Sequence, residues 1–290
     1  MFSGSMAALI TPFRDARIDA EALERLVEFQ IANGTAALVP CGSTGESATL
    51  GHNEHAEIVR LTVKFAKGRI PIIAGTGSNS TQEAISLTQA AQEAGADAAL
   101  LISPYYNKPT QEGIYQHYKA VAEATRLPLI IYNIPGRTAS KIEASTIARL
   151  AEIERIVGIK EATGSLDEAQ EVIRLCGDRI ELYCGDDSLT LPVMAVGGVG
   201  VISVIANLLP KHNAELLAAC NSGDWVRARR LHYELLPLLR ALFQETNPIG
   251  IKAALSMLGY CRDELRLPLL PMTDAPRAKL RAVMQQMGLL

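Results

Sequence analysis

The chain has 290 residues, 48% hydrophobic and 20% charged, which is enough apolar sequence for a full core and excludes global disorder. Lys plus Arg number 28 against 31 Asp plus Glu, a formal charge of −3, so nothing indicates a basic nucleic-acid surface. The five cysteines are odd in number and form no Cys-x-x-Cys pair, which argues against a disulfide framework or a zinc ribbon and for a reducing compartment.

Short runs rich in Val, Ile and Leu recur along the chain, each followed by a helix-like stretch. The predicted strands are 5–10, 36–40, 70–74, 98–102, 128–132, 156–160, 180–184 and 201–205. They are mostly apolar on both faces, as buried parallel strands are. Asp19 is placed to cap the first helix, whose apolar stripe is Leu23, Leu26, Val27 and Ile31 and which ends at Gly34. Thr81 is placed to begin another, ending near Gly95. Eight such units in about 210 residues favour a (β/α)8 TIM barrel over a doubly wound sheet. Residues 221–290 contain no strand candidate and read as a C-terminal helical domain appended to a catalytic barrel of residues 1–220. Its predicted helices are 224–244, with Pro237 as a kink, 248–258 and 274–287. The longest run of apolar residues and glycine, 193–202, is far short of the ~18 that suggest a membrane span. With no basic segment before the first apolar stretch either, a cytoplasmic protein without membrane partners is expected.

In such a barrel the active site lies at the C-terminal ends of the strands. Those ends carry Gly42-Ser43-Thr44-Gly45-Glu46, Gly75-Thr76-Gly77-Ser78-Asn79, Pro104-Tyr105-Tyr106-Asn107, Tyr132-Asn133-Ile134-Pro135-Gly136-Arg137, Lys160-Glu161 and Gly185-Asp186-Asp187. Lys160 is the most informative residue, because it ends the apolar strand Ile156-Val157-Gly158-Ile159 and its stem would point into the barrel. A free lysine of pKa ~10.4 is neutral about one time in a thousand near pH 7.4, and desolvation raises that fraction and makes the amine a nucleophile for a carbonyl. The alternative is an amine held in a structural salt bridge. Lys252 also sits among apolar residues, but at helical spacing, where a packed stem with a solvated amine is expected.

Tyr132, ending the neighbouring strand, can shuttle protons to a carbinolamine on Lys160, or can be a satisfied core tyrosine. Ser43 and Thr44 can relay a proton or bind a carboxylate; alternatively, Ser43/Thr44 before Glu46 marks a helix start. Arg137 can clamp a second carboxylate. The Gly75–Ser80 stretch lacks the third glycine of a dinucleotide fingerprint. His52 and His55 lack a third metal ligand, and Asp186-Asp187 reads as a helix cap. No cofactor and no metal is expected.

The whole chain resembles the dihydrodipicolinate synthase family. The residues that carry the likeness are Ala8-Leu-Ile-Thr-Pro-Phe13, Gly42-Ser-Thr-Gly-Glu-Ser-Ala-Thr49, Pro104-Tyr-Tyr-Asn-Lys-Pro109, Tyr132-Asn-Ile-Pro-Gly-Arg-Thr138, Gly158-Ile-Lys-Glu-Ala162, Gly185-Asp-Asp187, Gly200-Val-Ile-Ser203 and Asn247-Pro248. The resemblance implies that pyruvate forms a Schiff base with Lys160 and attacks L-aspartate-4-semialdehyde, in the diaminopimelate route to lysine. It assigns proton transfer to Tyr132, Ser43 and Tyr106, with Tyr106 reaching into a neighbouring subunit of a homotetramer built from tight dimers. It assigns the pyruvate carboxylate to Thr44, the pocket lining to Gly185 and Ile202, and the semialdehyde carboxylate to Arg137. It further implies feedback inhibition by L-lysine at Ser47, Ala48, His52, His55, Asn79, Glu83 and Tyr105. The family's usual Thr-Thr is Ser43-Thr44 here, a form shared with the N-acetylneuraminate lyases of the same barrel. Such a lyase, or a 2-keto-3-deoxy-sugar-acid lyase, is the alternative. A catalytically silent ketoacid-binding barrel is a third reading, opposed by the presence of both Lys160 and Tyr132.

Overall fold

Apolar runs that alternate into a closed interior and outward against helices are what build this fold, described here for residues 2–290 from a computed structural model. The eight barrel strands are β1 (Gly4–Ala8), β2 (Ala37–Val39), β3 (Ile73–Gly75), β4 (Ala98–Ile102), β5 (Leu129–Asn133), β6 (Ile156–Glu161), β7 (Glu181–Cys184) and β8 (Gly200–Ser203). All pair in parallel, in the order β2-β1-β8-β7-β6-β5-β4-β3. The ring is brought together between β2 and β3 by a parallel bridge from Leu38 to Ile72 and a hydrogen bond from Gly75 N to Pro40 O at 2.9 Å. The (β/α)8 expectation holds, and each predicted strand exists within a few residues of its expected bounds. A short antiparallel hairpin, Phe13–Arg14 with Arg17–Ile18, was not predicted. Two-residue strands leave no alternation to read.

The period of two sorts the side chains. Met6, Ala8, Ala98, Leu100, Ile130 and Tyr132 point into the barrel. Their neighbours Ala7, Ala99, Leu101, Leu129 and Ile131 face the helices. Gly158 on β6 makes room for the ring of Tyr183 on β7, since a Cβ there would lie 2.7 Å from Cε2.

The surrounding helices are α1 (Ala20–Ala32), α2 (His52–Ala66), α3 (Thr81–Glu93), α4 (Gln111–Ala124), α5 (Ala144–Leu150), α6 (Leu166–Cys176), α7 (Thr190–Ala195) and α8 (Pro210–Asn221). Asp19 caps α1 by accepting from Ala22 N at 3.1 Å. Thr81 is the first residue of α3, but its cap is Ser80, whose hydroxyl accepts from Glu83 N. Beyond α8 come α9 (Trp225–Leu242), capped by Asp224 and carrying Pro237 internally, α10 (Ile249–Met257) and α11 (Asp274–Gln286). The apolar layer between strands and helices runs without a break into α9, α10 and α11, through Leu231, Leu235, Leu238, Leu255 and Leu280. Among the described residues no helix is long and apolar enough to cross a membrane.

The expectation of a solvated Lys252 amine is corrected. Lys252 is fully buried, and its ammonium is bonded to Glu46 and, at 2.8 Å, to Glu264 O. The Phe13 ring lies 4.2 Å from Lys252 Nζ and 4.4 Å from the Arg266 guanidinium. Arg266 in turn donates its backbone N–H to Glu46 and its guanidinium to Glu54. That guanidinium holds the Glu54 carboxyl down at about 2. The C-terminal segment is thereby pinned to the loop after β2.

Candidate active site

Lys160 stands at the end of β6, in register with Tyr132 on β5 and Tyr183 on β7. It is 5% exposed, and its Nζ lies 4.2 Å from the centre of the Tyr132 ring. Among the described residues it makes no hydrogen bond or salt bridge, so the structural ion pair considered for it does not exist. Next along the strand, Glu161 points the other way. Its carboxylate accepts from Thr163 N at 2.6 Å, and burial pushes its pKa up.

The Lys160 amine faces a cavity of about 680 Å³ that also carries Ser43, Thr44, Tyr132, Arg137 and Gly185 on its wall. Gly185 is glycine for a steric reason. A Cβ there would come within 2.7 Å of Ala162 Cβ, 2.9 Å of Glu161 O and 3.0 Å of Lys160 Cγ, so it would displace the lysine stem. Asn247, at the start of the segment leading into α10, ties two of these residues together. Its side chain donates to Thr44 Oγ1 at 2.9 Å, and its carbonyl accepts from Arg137 Nη2 at 3.1 Å. Thr44 therefore keeps its own O–H free to donate, and Arg137 keeps most of its N–H groups.

This buried lysine over a tyrosine ring, in a cavity walled by hydroxyls and one guanidinium, is matched by a known family. The model of the Dihydrodipicolinate synthetase family matches residues 1–287. The chain belongs to that family. It is 55% identical, over the full length of both chains, to a 4-hydroxy-tetrahydrodipicolinate synthase of Citrifermentans bemidjiense. It superposes with a TM-score of 0.98 on the chloride-inhibited dihydrodipicolinate synthase of Acinetobacter baumannii complexed with pyruvate, at 46% identity and full coverage of both chains. On DHDPS from Cyanidioschyzon merolae with lysine bound the TM-score is 0.97, at 40% identity, covering 100% of this chain and 99% of that one.

Not every residue expected from the dihydrodipicolinate synthase resemblance lies on the cavity wall. Ile202 is buried inside the barrel with Tyr132 and Tyr183 and does not reach the cavity wall. Tyr106 is 87% exposed, in the left-handed region at φ 70°, and borders neither this cavity nor the next. The helix-start reading of Ser43 and Thr44 is also corrected. Only a single 3-10 turn, Ser47–Thr49, follows them, with no side-chain cap; the α-helix begins at His52, where Gly51 N donates to Glu54. Glu46 sits at φ 55°, a conformation that costs a non-glycine residue about 1–3 kcal/mol and persists where the surroundings over-determine it. Here the bonds to Lys252 and Arg266 N do so. Asp187 is more than a helix cap. It is buried and accepts from Val204 N and Ile205 N at 2.9 and 3.0 Å, joining the ends of β7 and β8, while Asp186 caps the short turn by accepting from Ser188 N.

A second cavity, of about 450 Å³, shares Ser43, Tyr132, Arg137 and Asn247 with the first. Ser47, Ala48, His52, His55, Glu83 and Tyr105 line it. Asn79 does not. Its carbonyl instead accepts from Asn107 Nδ2. His55 is buried, with lowered pKa, and donates its ring N–H to Gly75 O at 2.7 Å. Glu83 accepts from Ser78 and pairs with His52 at 2.7 Å, and these contacts lower its pKa. Among the described residues no group of three His, Cys, Asp or Glu side chains is placed to hold a metal.

Sequence reading missed the contribution of the appended helices to the first cavity. Leu236, Leu239, Arg240 and Phe243 of the α9 segment form part of its wall. Their spacing is that of one helix face, which was visible. What it faced was not.

Proposed function

We propose that the chain catalyses the 4-hydroxy-tetrahydrodipicolinate synthase reaction, joining pyruvate to L-aspartate-4-semialdehyde. The observation that carries this reading is the buried, unpaired Lys160 amine against the Tyr132 ring. The amine attacks the ketone carbon of pyruvate, water leaves, and a Schiff base forms. Loss of a methyl proton gives the enamine, whose carbon attacks the aldehyde. The amino group of the adduct then closes on the imine carbon and releases Lys160. Tyr132 and Ser43 hand protons to and from these intermediates. Thr44 donates its hydroxyl to the pyruvate carboxylate, and Arg137 takes the semialdehyde carboxylate by charge-assisted hydrogen bonds. Tyr106, exposed in the single chain, completes the relay in a partner's site within a homotetramer of tight dimers.

The test is a substrate panel. Condensation of pyruvate with aspartate-4-semialdehyde is expected. Cleavage of N-acetylneuraminate or a 2-keto-3-deoxy-sugar acid in its place would favour the lyase reading that the Gly42-Ser43-Thr44-Gly45-Glu46 form allows.

The second cavity is proposed to take L-lysine as an inhibitor, its ammonium replacing His52 as the partner of Glu83. Glu83→Ala is expected to abolish lysine binding, measured by calorimetric titration, and to spare turnover. A coupling of ~1–3 kcal/mol between lysine and pyruvate is the ordinary scale for such linkage. Lysine inhibition that survives in Glu83→Ala would remove this assignment.

A further inference from the structure

The first cavity offers a guanidinium, Arg137, to a carboxylate, but the second substrate of the proposed reaction is an amino acid and carries an ammonium as well. Two acids stand on the cavity wall, Asp186 and Asp187. Asp187 is closed to a ligand, since one oxygen accepts from Val204 N and Ile205 N and the other is buried out of reach. Asp186 is half-buried and engaged at one oxygen only. Its Oδ1 accepts from Ser188 N at 2.9 Å and from Ser188 Oγ at 2.7 Å, which fixes the carboxylate. Its Oδ2 has no partner among the described residues, and no cation of the protein pairs with it. Asp186 directly follows Gly185, the residue whose missing side chain leaves room for the Lys160 stem. Asp186 thus extends from the end of β7, Lys160 ends β6, and Arg137 follows β5. These strands are neighbours in the barrel, so the acid and the guanidinium are carried on either side of the nucleophile by strands ~10 Å apart. A small zwitterion with a hydrogen bond of ~2.9 Å at each end fills such a gap.

We propose that Asp186 receives the ammonium of the incoming amino-acid aldehyde, so that Arg137 and Asp186 together select a zwitterion over the same aldehyde without its amine. The proposal rests on the condensation reading above and assigns the charge which that reading leaves unmatched. Pyruvate has no positive group, so the contact is made by the second substrate alone. The amine sheds its proton before it closes on the imine carbon. The ion pair therefore belongs to capture of the substrate, and its loss falls on KM more than on kcat.

The test is steady-state kinetics of wild type and Asp186→Asn, a variant that keeps an oxygen to accept from Ser188 N and removes the charge. Aspartate-4-semialdehyde and pyruvate are each varied, and succinate semialdehyde, which lacks the amine, serves as a competing aldehyde. Asp186→Asn is expected to raise KM for aspartate-4-semialdehyde by about five- to tenfold, between the scale of an exposed ion pair and that of a hydrogen bond to a charged group. The pyruvate KM and the inhibition constant of succinate semialdehyde should stay unmoved, so that the variant loses its preference for the amine-bearing aldehyde. An unchanged KM for aspartate-4-semialdehyde, or equal weakening of the two aldehydes, overturns the assignment. If wild type does not condense pyruvate with the semialdehyde at all, the reading beneath it fails instead.

Discussion

Tyr132→Phe is expected to turn over about 10²–10⁴-fold more slowly than wild type, the usual contribution of a positioned proton-transfer group. The substitution removes one oxygen and keeps the ring against which Lys160 Nζ rests at 4.2 Å. The phenylalanine ring also keeps its place among Leu100, Ile130 and Ile202 inside the barrel. Folding and the path to Lys160 are therefore preserved, and the loss should appear in kcat with little change in thermal midpoint. Near-wild-type turnover would return Tyr132 to the role of a core tyrosine.

Lys252→Met should cost about 3–5 kcal/mol of stability, because it leaves the Glu46 carboxylate buried without its counter-charge. Glu46 and Lys252 are 1% and 0% exposed at their side chains, so water cannot replace the lost partner. The double variant Lys252→Met with Glu46→Gln should recover part of the loss, since it removes the unpaired charge and keeps a side-chain oxygen to accept from Arg266 N. Urea midpoints of the single and double variants measure this. A single-variant cost below ~1 kcal/mol, the range of surface pairs, would show that the pair does not act as a buried one. Because Glu46 lies two residues from Thr44, the single variant should also weaken pyruvate binding.

These two lysines show what was legible in the sequence. Lys160 could be read because a lysine closing an apolar strand stands at the C-terminal mouth of the barrel, where this fold places its active site. Lys252 could not, since a helical spacing among apolar residues buries the stem whether or not the amine follows. Only the carboxylate 206 residues away decides it. Glu46 misled for the same reason. Three residues after Ser43 it imitates a capping box, yet its partners are Lys252 and Arg266 from the far end of the chain. The barrel itself was legible because strands apolar on both faces, separated by capped helices, allow few other folds. Asn247 was visible only as part of an Asn-Pro motif. Its bond to Thr44 depends on how α10 folds back over the barrel.

The Lys160 amine is the group expected to form the Schiff base with pyruvate. Incubation with pyruvate and borohydride, followed by peptide mass mapping, tests it directly. A reduced pyruvyl adduct on Lys160 and on none of the other eight of the nine lysines is the expected result, with no adduct in Lys160→Ala. A label on Lys252, or no label at all, would contradict it.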